Sequence, residues 1–230
     1  MTSLADRAIA EEQMDAAELD AATYTRVVGD LAKVNRMTMA ARPTLAFIAR
    51  AIGARKSFSL LDVGFGDGDM LRTIARWAAK RGIEARLTGI DLNAKSCEAA
   101  RAHTPPGLAI DYRAGDYRDC GPCDLVVSSL VAHHMTHPQL IAFLRYMEAG
   151  AALGWLVNDL HRHRFAHTGF PLLARLMRWH RIVREDGTLS IARSYRPAEW
   201  LPILEEAGIE AGAARVFRAF PFRLCVERLR

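Results

Sequence analysis

What this sequence lacks narrows it first. No apolar run approaches the roughly 20 residues that a bilayer-spanning helix requires. Residues 1–20 are polar and acidic, without the apolar centre of a secretory signal, so a cytoplasmic protein is expected. Cysteine is scarce: Cys97, Cys120, Cys123 and Cys225. Cys120-Gly121-Pro122-Cys123 has C-x-x-C spacing, but no second pair exists to complete a zinc site. It also precedes a strand-like run, not the helix that would activate a redox thiol. Gly-Pro there reads as a turn at a strand entrance. There is no internal repeat and no low-complexity linker. No RRM, KH or helix-turn-helix signature accompanies the net charge of +5. That charge is uneven: residues 1–30 hold seven acids against Arg7 and Arg26, whereas residues 161–230 hold thirteen arginines against seven acids. The C-terminal excess reads either as a solvated arginine-rich surface or as a face toward an anionic partner.

What is present centres on Leu60-Leu61-Asp62-Val63-Gly64-Phe65-Gly66-Asp67-Gly68-Asp69-Met70-Leu71. An apolar run feeds a carboxylate, then glycines at alternate positions, then a helical pattern. Such a loop lets a ligand approach the backbone, and the following helix turns unpaired N–H groups toward it. The spacing is G-x-G-x-G, neither the dinucleotide G-x-G-x-x-G nor the phosphate loop with its lysine. Asp62 ahead of the glycines suits a ligand carrying a cation and hydroxyls more than a polyphosphate.

Taken in order, residues 6–23 predict an amphipathic helix and Leu31 to Ile52 a second helical pattern, with Pro43 opening a new segment. These form an N-terminal helical cap over 1–55, where Arg36 either pairs with a ligand carboxylate or is simply solvated. Strands are predicted at 58–63, 86–92, 108–113, 123–128 and 153–159, with helices at 69–81, 94–103 and 138–147 between them. This alternation argues an open parallel α/β sheet with helices on both faces over 56–230. In such sheets ligands sit beyond the carboxyl ends of the strands. Asp62 to Gly68, Asp91, Asp116, Ser128 to His134 and Asp159 to His163 all fall at those ends. After the fifth strand, His161 to Arg184 predicts a long basic helix and Asp186-Gly187 a turn. The segment of about 161–192 reads as a helical lid. A helix starting near Pro197 and two β runs, 211–218 and 220–229, close the chain.

Four of these segments, Asp62-Val63-Gly64-Phe65-Gly66-Asp67-Gly68, Gly89-Ile90-Asp91, Gly115-Asp116-Tyr117 and Asp124-Leu125-Val126-Val127-Ser128-Ser129, resemble in order and spacing the motifs of class I S-adenosylmethionine-dependent methyltransferases. The resemblance implies a Rossmann-like seven-stranded sheet of order 3-2-1-4-5-7-6, with strand 7 antiparallel. It implies S-adenosylmethionine as cofactor, leaving as S-adenosylhomocysteine. Asp62 with Gly64, Phe65, Gly66 and Gly68 would hold its methionine portion, and Asp91 its ribose hydroxyls. Asp116 would accept from the adenine amino group, Leu92 or Tyr117 would lie against the ring, and Ser128 would meet the methionine end. Ser129-Leu130-Val131-Ala132-His133-His134-Met135 resembles small-molecule methyltransferases related to the quinone-biosynthesis enzymes. Residues 186–200 and the lid resemble bacterial phenol or polyketide O-methyltransferases. The [DNS]-P-P-[YFW] signature of nucleic-acid amino-methyltransferases is absent.

The expected activity is methylation of a small, aromatic hydroxyl acceptor, by a monomer or homodimer, with no nucleic-acid partner. C-methylation of a quinol or activated ring, or cofactor binding without methylation, are the alternatives. A phenol needs deprotonation near neutral pH, and histidine is the side chain matched to it. His133, His134 and His161 are the candidate bases, with Asp159 expected to orient His161. Arg36, His163, Phe165, Phe170, Leu173 and Trp179 are the expected acceptor-pocket residues. No metal is expected, because Asp159 and His161 lack the carboxylate cluster of catechol-type magnesium enzymes.

Overall fold

Alternation along the strands decides how the sheet is sandwiched. In β1 (Ser57–Val63), Phe58 and Leu60 face one side and Leu61 and Val63 the other. The remaining strands are β2 (Glu84–Asp91), β3 (Ile110–Ala114), β4 (Cys123–Ser129), β5 (Ala151–Leu160), β6 (Ala214–Ala219) and β7 (Arg223–Leu229). The computed structural model describes residues 4–15 and 19–230. Its seven strands run in the order β3-β2-β1-β4-β5-β7-β6, with β7 antiparallel to β5 and β6, as the motifs implied. The apolar residues of β1 and β4, Phe58, Leu60, Leu61, Val63 and Leu125 to Val127, are buried because both faces of these strands are covered.

The helices are α1 (Ala21–Met37), α2 (Ala41–Ile52), α3 (Asp69–Ala79), α4 (Ala94–His103), α5 (His137–Gly150), α6 (Arg164–Leu176), α7 (Arg181–Arg193) and α8 (Pro197–Glu206). Phe47 and Ile48 of α2, Leu71 and Ile74 of α3 and Ala100 of α4 pack with Phe58, Leu60, Leu125 and Val127. Leu140 and Leu144 of α5 and Trp200 and Leu204 of α8 cover Leu61, Val126, Trp155 and Val157 opposite. Each fully buried side chain of this kind contributes about 1.5–3 kcal/mol. Among the described residues no helix is long and apolar enough to cross a membrane.

Three expectations need correction. The helix over 6–23 does not form among the described residues: 7–12 are irregular, Gln13–Asp15 make one 3-10 turn, and α1 begins at Ala21, capped by Asp20. Tertiary contacts outweigh helix propensity there. Arg7 donates to the Arg193 carbonyl at 2.6 Å, the Tyr195 hydroxyl at 2.6 Å and the His133 carbonyl at 3.2 Å, and Glu12 is buried. This stretch is therefore a strap laid across α7.

Asp186-Gly187 lies inside α7 and is not a turn. The Asp186 carboxylate accepts the Gln13 and Met14 backbone N–H groups at 3.1 and 2.9 Å. A Cβ on Gly187 would stand 2.3 Å from the Phe170 ring, so glycine here lets α6 and α7 cross closely. Finally, the single helix expected over 161–184 is two helices, broken at Met177–His180, where Arg178 has φ +55°.

Candidate functional site

A cavity of about 1260 Å³ opens beyond the carboxyl ends of β1, β2 and β4, between α1, α6 and α7. Pockets for one small ligand run to about 300–1000 Å³, so this volume has room for two molecules. One end is the glycine loop. Gly64 has φ +74°, and a Cβ on it would meet the Val131 side chain at 2.4 Å. Gly66 has φ +56° and nothing within 4 Å of where its Cβ would point, so its backbone is open to a ligand. The loop is braced from behind by the buried Arg72–Asp67 ion pair at 2.9 Å.

Asp62 and Asp91 line this end. Asp62 is fully buried and neither carboxylate oxygen has a hydrogen-bond partner among the described residues. Burial first, and then the charge of Asp91, push its pKa up to about 7. Asp91 accepts the Gly66 N–H at 3.0 Å and the Asn93 N–H at 2.9 Å, one on each oxygen. Phe65 and Leu92 also line the cavity, Leu92 with its side chain largely exposed there.

The other expected cofactor residues divide. Tyr117 lines the cavity, while its ring packs at 5.0 Å on Phe143 and 4.8 Å on Tyr146. Asp116 does not line it: its carboxylate caps a 3-10 turn and pairs with Arg118 at 2.6 Å. Ser128 is buried and donates to the Val63 carbonyl at 3.0 Å, tying β4 to β1, while its neighbours Ser129 and Leu130 reach the cavity. Gly68 is the N-cap of α3 and packs on Tyr112, a structural position. Leu130 carries φ +63°, a costly conformation for a leucine, and such strain clusters at functional sites.

Across from the glycine loop lies a histidine–carboxylate cluster. The Asp159 carboxylate lies 2.7 Å from His133 Nδ1 and also accepts the His133 backbone N–H at 2.9 Å. It thus orients His133 and not, as expected, His161. The cause is topological: β4 and β5 are parallel neighbours, paired Ser129 to Asn158, so Asp159 stands beside the loop leaving β4. Glu12, from the strap, is 3.6 Å from His133 Nε2 and 3.8 Å from His134 Nε2. Ser190 donates to Glu12 at 2.8 Å. Burial disfavours a charged His133, but the Asp159 and Glu12 carboxylates outweigh it and raise its pKa to about 9. Asp159 stays below the usual carboxylate range despite burial, held there by His133 and two backbone N–H groups. Glu12, also opposed by burial, is lowered by the His133 and His134 imidazoles and Ser190. Sequence gave no sign of Glu12, one acid in an acidic stretch.

His161 does not line the cavity. It makes an isolated bridge to Tyr195 just past β5, and burial, with His163, Arg218, Arg196 and Arg162 around it, pushes its pKa down. His163 caps α6 and stacks on Phe222, also outside the cavity wall. Phe165, Phe170 and Leu173 do line the wall. Trp179 is buried behind it against Phe170, at 6.2 Å between ring centres. Arg36 reaches the cavity rim but pairs with Asp69 at 3.1 Å.

Comparison with known proteins gives a match of residues 60–154 to a methyltransferase-domain model. The ubiquinone biosynthesis O-methyltransferase of Bordetella avium is 28% identical over 186 residues, covering 74% of this chain and 70% of the relative. Human N-acetylserotonin methyltransferase, solved with SAM, superposes with TM-score 0.64 at 14% identity, over 92% of this chain. The alignment spans 56% of that longer chain. A SAM-dependent methyltransferase from Aquifex aeolicus superposes with TM-score 0.59 at 17% identity, over 92% of this chain and 99% of its own. The domain match spans the glycine loop to β5, and the sheet order, with Asp62 and Asp91 lining one cavity, is that of the S-adenosylmethionine-dependent methyltransferase fold.

Proposed function

We propose that this enzyme transfers the methyl group of S-adenosylmethionine to a hydroxyl oxygen of a small, aromatic acceptor. One observation carries the reading: a single cavity has the Asp62/Asp91 glycine-loop end and the Glu12/His133/His134 cluster on its wall. The residues present fit the cofactor. The two unpartnered oxygens of Asp62 suit the donors and positive charge of a methionine portion, and the Asp91 carboxylate, on the same cavity wall at the end of β2, suits ribose hydroxyls. When bound, the cofactor supplies an electrophilic methyl group on its sulfonium.

The chain's own residues align the acceptor and manage its proton. Apolar side chains of α1 and α6, among them Val27, Leu31, Phe165, Phe170 and Leu173, give an aromatic ring a wall to pack on and exclude water. Asp159 fixes the His133 ring from behind, and His133 in turn sits against Glu12. With His133 held charged near neutral pH, His134 is the imidazole placed to take the acceptor proton, on the cavity side of the same cluster. Oxygen as the acceptor atom is supported by this imidazole cluster and by the O-methyltransferase among the relatives. Incubation with labelled cofactor and a panel of phenols, catechols and quinols, read by mass spectrometry, tests it. A product labelled on oxygen is expected. A product labelled on ring carbon, or no turnover across the panel, contradicts it.

A further inference from the structure

The cluster has a property that proton transfer does not need. Glu12, His133 and His134 place one carboxylate oxygen and two imidazole nitrogens within 4.8 Å of one another. His133 Nε2 is buried and has no hydrogen-bond partner among the described residues. Its nearest ionic neighbour, Glu12 Oε1 at 3.6 Å, is beyond hydrogen-bond length. In the metal-free protein the hydrogen on Nε2 points at the Glu12 carboxylate, while the Nδ1 hydrogen is held by Asp159. A metal ion would take the place of that Nε2 proton, because a histidine binds metal as the neutral imidazole and releases a proton when it does so.

We propose that Glu12, His133 and His134 form a binding site for one divalent transition metal ion of the zinc class. Two imidazoles and one carboxylate, with a further position left open, are the donor set of catalytic zinc sites. Metal–ligand distances of about 2.0–2.2 Å put donors sharing a tetrahedral ion about 3.3 Å apart. Glu12 Oε1 is 3.6 Å from His133 Nε2 and Glu12 Oε2 is 3.8 Å from His134 Nε2, and one donor atom from each of the three residues lies within 4.8 Å of the others, so side-chain rotation has to draw the set together around the ion. The outer shell is already in place. Asp159 holds His133 Nδ1, as carboxylates hold metal-bound histidines, and the Ser190 hydroxyl donates to Glu12. The Arg193 Nη1, 3.6 Å from Glu12 Oε1, opposes a cation. Glu12 and Asp159 together balance a dication, so Arg193 leaves the site one charge positive, a field suited to an anionic oxygen in the open position. His134 is 26% exposed in its side chain and lines the cavity, which provides the ion's route in.

The site's use, though not its affinity for metal, rests on the function proposed above: a coordinated acceptor hydroxyl loses its proton more readily, so the cluster would act by coordination instead of by taking the proton. The strap supplies Glu12, so metal binding would also fasten residues 4–15 over the cavity.

The test uses the full chain, stripped of metal with a chelator and dialysed, then titrated with ZnCl2 by calorimetry and with CoCl2 by visible absorption. One equivalent of Zn2+ is expected, with cobalt d–d bands of a four- or five-coordinate site. His134→Ala and Glu12→Gln should each weaken zinc at least tenfold. His137→Ala, on an exposed histidine paired with Glu206, should leave it unchanged. Absence of stoichiometric binding, or wild-type affinity in either ligand variant, overturns the proposal. S-adenosylhomocysteine affinity measured on the same samples separates the two readings. Zinc bound without cofactor affinity sinks the proposed function and leaves the metal site standing, and the reverse result does the opposite.

Discussion

Asp159 Oδ1 lies 2.7 Å from His133 Nδ1 while Asp159 Oδ2 accepts the His133 backbone N–H, so one carboxylate at the end of β5 fixes both ring and main chain of the residue that follows β4. The pair is buried on every side. It makes the histidine at the cavity wall part of the sheet's own hydrogen bonding, and the consequences are measurable.

The first concerns stability against pH. The His133 pKa is raised to about 9 from an ordinary 6.5, so its contribution is complete below about pH 6.5 and is lost as pH rises through 9. Asp159→Asn removes the nearer of the two carboxylates that hold His133 charged, leaving Glu12 alone, and should cost about 3 kcal/mol at pH 6.5. By pH 9.5 the difference from the parent should shrink. Urea unfolding at the two pH values checks this; an equal loss at both would mean that His133 carries no charge in the folded protein.

Asp62 gives a dependence over a different range. Its folded pKa of about 7 exceeds the ordinary 3.8, so burying the ionised form costs nothing below about pH 4, costs more as pH rises to 7, and then levels off. The full penalty is of order 4 kcal/mol. Asp62→Asn should therefore gain stability relative to the parent between pH 4 and pH 8 in the ligand-free protein. The same variant should lose cofactor affinity at least tenfold. A variant less stable at both pH values, or one that binds cofactor normally, would show that Asp62 is a structural carboxylate.

The two loop glycines should respond differently. Gly64→Ala drives a Cβ into Val131 at 2.4 Å with positive φ, and should destabilise the protein by several kcal/mol. Gly66→Ala meets no neighbour and should cost about 1–2 kcal/mol from its left-handed backbone alone. Its larger effect should fall on cofactor binding. Melting curves with and without S-adenosylhomocysteine distinguish them: the ligand-induced rise should vanish in Gly66→Ala.

Among the histidines, His134→Ala should lower kcat by about 10²–10⁴, the range for a lost acid–base group. His161→Ala should leave kcat within about threefold, because His161 follows the end of β5, bridged to Tyr195, and is not on the cavity wall. Equal losses in both would return His161 to the candidate bases beside His134.

Why the sequence foresaw some of this and not the rest is a matter of range. The alternation of strands and helices and the Asp62, Gly64, Gly66 and Asp91 positions follow from local patterns, a strand end, a turn and a helix start, each written within a few residues, and the sheet order came with the resemblance that those motifs carry. The partner of Asp159 was not legible, because a carboxylate at a strand end serves whichever neighbouring loop the sheet order brings beside it. Glu12 was hidden for a stronger reason. Its alanine- and acid-rich surroundings favour helix, and only Arg7, Asp186 and Ser190, held in place by distant parts of the chain, pull the strap out of that conformation. Asp116 and Ser128 show the converse: right position in the motif, but side chains engaged by Arg118 and Val63.

The most direct measurement combines calorimetry with S-adenosylmethionine and mass analysis of a phenolic acceptor after incubation with methyl-labelled cofactor. The account predicts one cofactor bound per chain, lost in Asp62→Asn and Gly66→Ala, and one labelled methyl on an acceptor oxygen, lost in His134→Ala. A chain that binds no S-adenosylmethionine, or that methylates as well without His134, would contradict it.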